Sequence, residues 1–163
     1  MDAQHNWAGN LTYSAARLHR PTTVQEIQSI VKNSAKVKAL GTRHSSNTIA
    51  DTPEDLISLE RLNQVVALDP ERRTVTVDAG MKYGDLGVYL HSAGYALHNM
   101  ASLPHISVAG ACATATHGSG DQNGNLATAV ATLELVTGEG EVVTLSRERD
   151  SDSRISTARN QEI

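Results

Sequence analysis

The chain has a single cysteine, Cys112, so it forms no intramolecular disulfide and no cysteine-rich zinc site, and a reducing, cytoplasmic setting is the expectation. No basic stripe interleaves with aromatic residues. With a formal net charge of −4 and a pI near 5.9, neither nucleic acid nor an anionic membrane is an expected partner. No stretch approaches the apolar length of a membrane span, and the N-terminus has no basic segment leading into an apolar run, so neither spanning nor secretion is indicated. His5, His19, His91 and His98 are scattered without the spacing of metal ligands, and no metal is expected. Asp85 and Glu26 read as a helix-face charge and a helix cap, not as paired catalytic carboxylates.

What is present is enough for one folded unit: 163 residues with 39% apolar content support a single core. Two segments within it are unusual. From Val37 to Ser46 the chain reads Val-Lys-Ala-Leu-Gly-Thr-Arg-His-Ser-Ser, a short apolar strand running into a glycine turn that carries one histidine among hydroxyl residues. Glycine lets backbone approach a bound group closely, and successive N–H groups of such a turn form a concavity for phosphate or carbonyl oxygens. An ordinary strand-to-loop turn with a surface histidine fits the segment as well.

From Asn99 to Gly120 nearly every residue is small or hydroxyl-bearing, with two histidines and almost no charge. Too little side-chain bulk is present there to build a core, which points to a large cofactor filling the space and meeting backbone N–H groups. The alternative is a flexible linker, but linkers favour glycine, serine and charge over the Ile106–Ala109 and Ala111–Ala113 runs.

Gly-Thr-Arg-His-Ser, followed by Ala-Ser-Leu-Pro-His-Ile-Ser-Val-Ala-Gly and Ala-Thr-His-Gly-Ser-Gly, resembles the PCMH-type FAD-binding domain of the vanillyl-alcohol oxidase superfamily, and within it the sugar-alcohol (alditol or xylitol) oxidases. The opening Asn6-Trp7-Ala8-Gly9-Asn10 resembles the start of those oxidases, so the similarity extends over about residues 6 to 150. The resemblance implies an α+β fold of two small α/β subdomains packed around the flavin. It implies FAD as cofactor, bonded covalently through His44, with Gly41, Thr42, Arg43 and Ser45 wrapping the pyrophosphate. Ser102, Ser107, Gly110, Thr114, Ala115, Thr116 and His117 fall on its other flavin-contacting positions, with Ser102, the implied catalytic residue, nearest the reacting face. The implied reaction is oxidation of polyol CH–OH groups with oxygen as acceptor, giving hydrogen peroxide. The family's substrate cap does not follow in this sequence. The expectation is therefore a truncated gene product that binds FAD and is inactive alone, a polyol being a partner only where the cap is supplied.

The order of elements follows from pattern. Thr23 and Glu26 have capping-box spacing, and Val24, Ile27, Ile30 and Val31 share one face of a helix of about ten residues. Strands are expected at 37–40, 56–59, 65–68 and 74–77, and a helix from Tyr83 to Ala93 stopped by Gly94. A helical turn is expected from Asn125 to Val130, then a hairpin of 132–136 with 141–145 across Thr137-Gly138-Glu139-Gly140. These define a domain over 1–146, with a first subdomain to about residue 62 and the second from 63, and a disordered or non-native tail over 147–163. Trp7, the tyrosines and Cys112 read as packing residues, His105 as a satisfied loop histidine, and His117 as either a cofactor contact or a turn cap. Two other functions remain open: one half of a two-chain oxidoreductase, and a non-enzymatic α/β interaction module whose glycine-rich segments contact a protein.

Overall fold

The computed structural model describes residues 4–147, so the expectation of a disordered tail lies outside the described residues apart from Arg147. A three-stranded parallel sheet forms first, with β3 (Asp55–Ser58) at its centre between β1 (Arg17–His19) and β2 (Val37–Leu40). All four residues of β3 are buried, and Leu56 packs with Leu40 and Tyr13 as one apolar cluster. Helix α1 (Val24–Asn33) provides the crossover from β1 to β2. Thr23 caps it as its spacing predicts, accepting the Glu26 N–H at 3.2 Å. The Glu26 carboxylate, however, reaches one residue further than in a capping box, to the N–H of Thr22 at 2.6 Å. The apolar face of α1 is half-buried at best, with Val24 40% exposed.

Asp55 opens the central strand and is fully buried. Arg17 donates to both of its oxygens at 2.6 Å, and His19 Nε2 lies 2.7 Å from Oδ1, so one carboxylate fastens β1 to β3. Strand β1 escapes the sequence reading, because three residues carry too little alternation to show as a strand.

The chain then forms an antiparallel pair, β4 (Val65–Asp69) and β5 (Thr74–Val77), closed by Asp69 Oδ1, which accepts the N–H groups of Glu71 and Arg72 at 3.0 Å. Helix α2 (Tyr83–Ser92) covers this pair with Leu86 and Leu90, packed with Met81 and against Val65, Leu68, Val75 and Val77. Gly94, at φ +81°, ends α2 as expected, and Tyr95 N–H returns to the Leu90 carbonyl at 2.8 Å. Within the bulk-poor segment the chain forms a six-residue helix, α3 (Val108–Ala113), that the sequence reading does not contain. It is seated by Val108 N–H on the Met81 carbonyl at 2.8 Å, and Tyr83, Ile106, Ala111 and Leu126 pack together beneath it.

A 3-10 turn at Leu126–Ala129 leads to the hairpin of β6 (Thr132–Val136) and β7 (Val142–Ser146), the second strand one residue later than its pattern suggests. The hairpin turn is tied to α1 by Gln28 Nε2 donating to the Gly140 carbonyl at 2.7 Å. Among the described residues, no helix is long and apolar enough to cross a membrane.

The Arg17 guanidinium, together with His19 and the Ser34 hydroxyl, holds the Asp55 carboxyl well below the usual carboxylate range. A carboxyl whose pKa falls on folding stabilises fully above its unfolded value of 3.8 and progressively less as pH drops through that value toward the folded one. Asp55→Asn therefore lowers the thermal midpoint most at neutral pH, and its difference from wild type narrows below about pH 4. Thermal unfolding followed by circular dichroism across this range checks it.

Candidate functional site

The end of β2 and the segment before and through α3 face one another across a cleft of about 460 Å³. One wall is the turn Gly41–Ser45, which begins where β2 stops. The other is drawn from Ala101 to His117. Of the positions singled out in the sequence, Gly41, Thr42, Arg43, His44, Ser45, Ser102, Gly110, Thr114, Thr116 and His117 all line this cleft. Ala115 lies outside the lining and instead turns the chain at φ +51°. Ser107 is buried behind the wall, with its backbone N–H donating to Thr42 Oγ1 at 3.4 Å.

The glycines at this seam have a steric reason. A Cβ on Gly41 would stand 2.9 Å from Ser107 Oγ, and one on Gly110 would stand 2.8 Å from the same atom. Backbone therefore lines the cleft where side chains do not fit. Arg43 holds a left-handed backbone at φ +66°, and its carbonyl accepts the Trp7 N–H at 2.8 Å. Thr114 Oγ1 donates to the Gly110 carbonyl at 3.0 Å and lies 3.1 Å from the Thr116 hydroxyl, which fixes the hydroxyl pair at the end of α3.

The two ring nitrogens of His44 differ in their surroundings. Its Nδ1 lies 3.0 Å from Thr42 Oγ1, while its Nε2 is buried and has no hydrogen-bond partner among the described residues. Burial, and then the neighbouring His105, push its pKa below the ordinary imidazole value, which keeps a lone pair available at neutral pH. His117 Nδ1–H donates to the Gly118 carbonyl at 3.0 Å, so this ring lines the cleft and makes a turn bond at once.

One packing assignment is corrected by the structure. Trp7 is not a packing residue: it is 65% exposed, and its ring stacks on His44 with centroids 5.1 Å apart at 24°. His105, expected as a satisfied loop histidine, lies in a turn with its ring 4.6 Å from that of His44 and 6.0 Å from that of Trp7. No local signal could have linked these three rings, which come from distant parts of the chain. The apolar lining from Ala101, Leu103, Ile106 and Ala111 was likewise missed, although it alternates with the hydroxyl residues named above. Cys112 is half-buried, its thiol pushed up by burial, with Tyr83 Oη 3.8 Å away. Among the described residues, no group of three or more His, Cys, Asp or Glu side chains is arranged to hold a metal ion.

Residues 15–146 match the family described as FAD binding domain. The chain is 48% identical over 144 residues to alditol oxidase from a Streptomyces species, covering 86% of this chain and 35% of that protein. It is 34% identical over 145 residues to L-gulonolactone oxidase from Scyliorhinus torazame, covering 86% and 33%. Xylooligosaccharide oxidase from Myceliophthora thermophila shares the fold with a TM-score of 0.73 at 24% identity, covering 88% of this chain and 32% of that one. The chain thus spans about a third of the length of the curated relatives it matches.

The His44 ring proton resonances are expected to titrate with a midpoint below 6.5, and His105→Gln is expected to move that midpoint upward, since it removes one of the three causes that depress it, the others being burial and Arg43. Proton NMR of the wild type and the variant, followed against pH, measures both.

Proposed function

The chain belongs to the FAD binding domain family, and from that premise we propose that its cleft carries FAD covalently through His44, as the flavin portion of an oxidase acting on CH–OH groups of polyols. The observation that carries the reading is His44 Nε2, a buried ring nitrogen without a hydrogen-bond partner among the described residues, on a residue lining a cleft walled by backbone and small side chains. These residues suit the group: a neutral imidazole offers a nucleophile, and the cleft of about 460 Å³ between backbone and small side chains has room for a wide planar ligand.

In this proposal the Gly41–Ser45 turn holds the pyrophosphate through backbone N–H groups and Arg43 supplies the positive charge. Thr114 and Thr116 offer hydroxyls on the opposite wall, and Ser102 presents its hydroxyl to the reacting face. The domain is read as 1–146, its parallel-sheet subdomain ending near residue 62. FAD, when bound, supplies the electron sink for carbinol oxidation, while the protein supplies placement and electrostatics. A polyol requires the substrate region of the relatives, which this chain does not span. The 48% identity to an alditol oxidase favours a polyol over the lactone named for the second relative.

The full chain expressed with FAD is expected to keep its yellow colour through acid precipitation, with one FAD added in mass to the peptide carrying His44. His44→Ala is expected to release all flavin on acid treatment. A chain that takes up no flavin after reconstitution overturns the cofactor assignment, and flavin that washes out of wild type in acid overturns the covalent link alone.

A further inference from the structure

A chain with one tryptophan leaves it 65% exposed, where its ring contributes little to any core. The contacts it does make converge on one residue. Its indole stacks on the His44 imidazole, its backbone N–H donates to the carbonyl of Arg43, and the adjacent Asn6 Nδ2 donates to the carbonyl of Ser45 at 3.1 Å. The two carbonyls that flank His44 in sequence are thus both held by the same short segment. Arg43 Nη1 adds a third tie, donating to Gln4 Oε1 at 3.3 Å.

That segment is closed on itself as well. Asn6 N–H donates to the Leu11 carbonyl at 3.0 Å, Leu11 N–H returns to Asn6 Oδ1 at 3.0 Å, and Tyr13 N–H reaches the Gln4 carbonyl at 2.8 Å. Asn6 is buried, with its amide also donating to Asn10 Oδ1 at 2.8 Å. Gly9 turns the chain at φ +72°. The result is a rigid loop with an indole at its tip, set against a turn whose Arg43 backbone is left-handed.

We propose that the segment from Gln4 to Tyr13 is a clamp for the His44 turn, in which Trp7 is a positioning residue that fixes the plane of the imidazole. This rests on the reading of His44 as the flavin anchor. Trp7 covers one side of the ring and His105 lies against it at 4.6 Å, so the ring has little freedom to rotate about its last side-chain bond. Thr42 Oγ1 at Nδ1 selects among the orientations that remain and leaves Nε2 as the nitrogen without a partner. The charged and titratable groups that face the ring are His105 and Arg43, with His117 in the same cleft.

The test uses the full chain without flavin first. Carbethoxylation by diethyl pyrocarbonate, followed by mass spectrometry on the peptide carrying His44, is expected to run about three- to tenfold faster in Trp7→Ala and within about twofold of wild type in Trp7→Phe, as loss and retention of one ring stack require. In wild type, the single tryptophan's emission is expected to fall as pH is lowered through the titration of His44, because a protonated imidazole quenches a stacked indole. His44→Gln is expected to abolish that inflection. Equal modification rates in all three proteins, or an inflection that survives His44→Gln, overturn the clamp. FAD is then added to wild type and Trp7→Ala, and acid-stable flavin is followed in time, a slower uptake in the variant being expected. Wild type that binds no FAD overturns the cofactor reading, while the ring measurements still decide the clamp. Wild type that binds FAD, beside a Trp7→Ala protein modified at the wild-type rate, overturns the clamp alone.

Discussion

Everything in the cleft depends on a steric constraint at one buried serine. Ser107 and Thr42 stand 65 residues apart in sequence, yet the backbone of one meets the hydroxyl of the other, and the Ser107 side chain fills the space where Gly41 and Gly110 would otherwise carry a Cβ. Because neither glycine carries a Cβ, the β2 turn and α3 approach closely enough to share a single cavity. The apolar clusters on either side of this seam are separate, Leu40 and Leu56 on one, Tyr83 and Ile106 on the other. The seam is therefore made by polar and small residues, while the clusters flanking it set the positions of the two walls.

Burial acts in one direction on the titratable groups near this seam. His44 is held neutral by desolvation and by His105, Cys112 is held as a thiol, and the Tyr83 hydroxyl is pushed far above its ordinary range. Among the residues lining the cleft, Arg43 is the one permanent cation. No carboxylate stands among those lining residues. Asp55, by contrast, is a buried charge that is fully paired, and its partners Arg17 and His19 both come from the neighbouring strand.

The elements with a clear period were legible in the sequence. The alternation of Thr74–Val77, the helical spacing of Leu86 and Leu90, and the turn residues between β6 and β7 each point to one local structure, and the chain adopts it. The walls of the cleft were legible for a different reason: an absence of bulk over many residues is visible without knowing what the segment folds against. Strand β1 was not legible, since its stability comes from Asp55 on another strand. Helix α3 was hidden because alanine and glycine give no amphipathic face, and its position is set by the Met81 carbonyl. The ring contacts of Trp7, which reads as a packing residue, and of His105 lie between residues far apart along the chain, a relation that no window of sequence contains.

The strand order of the parallel sheet has a consequence for biosynthesis. Since β1 and β2 each pair with β3 and not with each other, neither has a hydrogen-bonding partner while only the first fifty or so residues have been translated. The turn bearing His44 follows β2 and emerges before the strand with which β2 pairs. Both outer strands of the parallel sheet thus wait on one event, the arrival of the central strand between them.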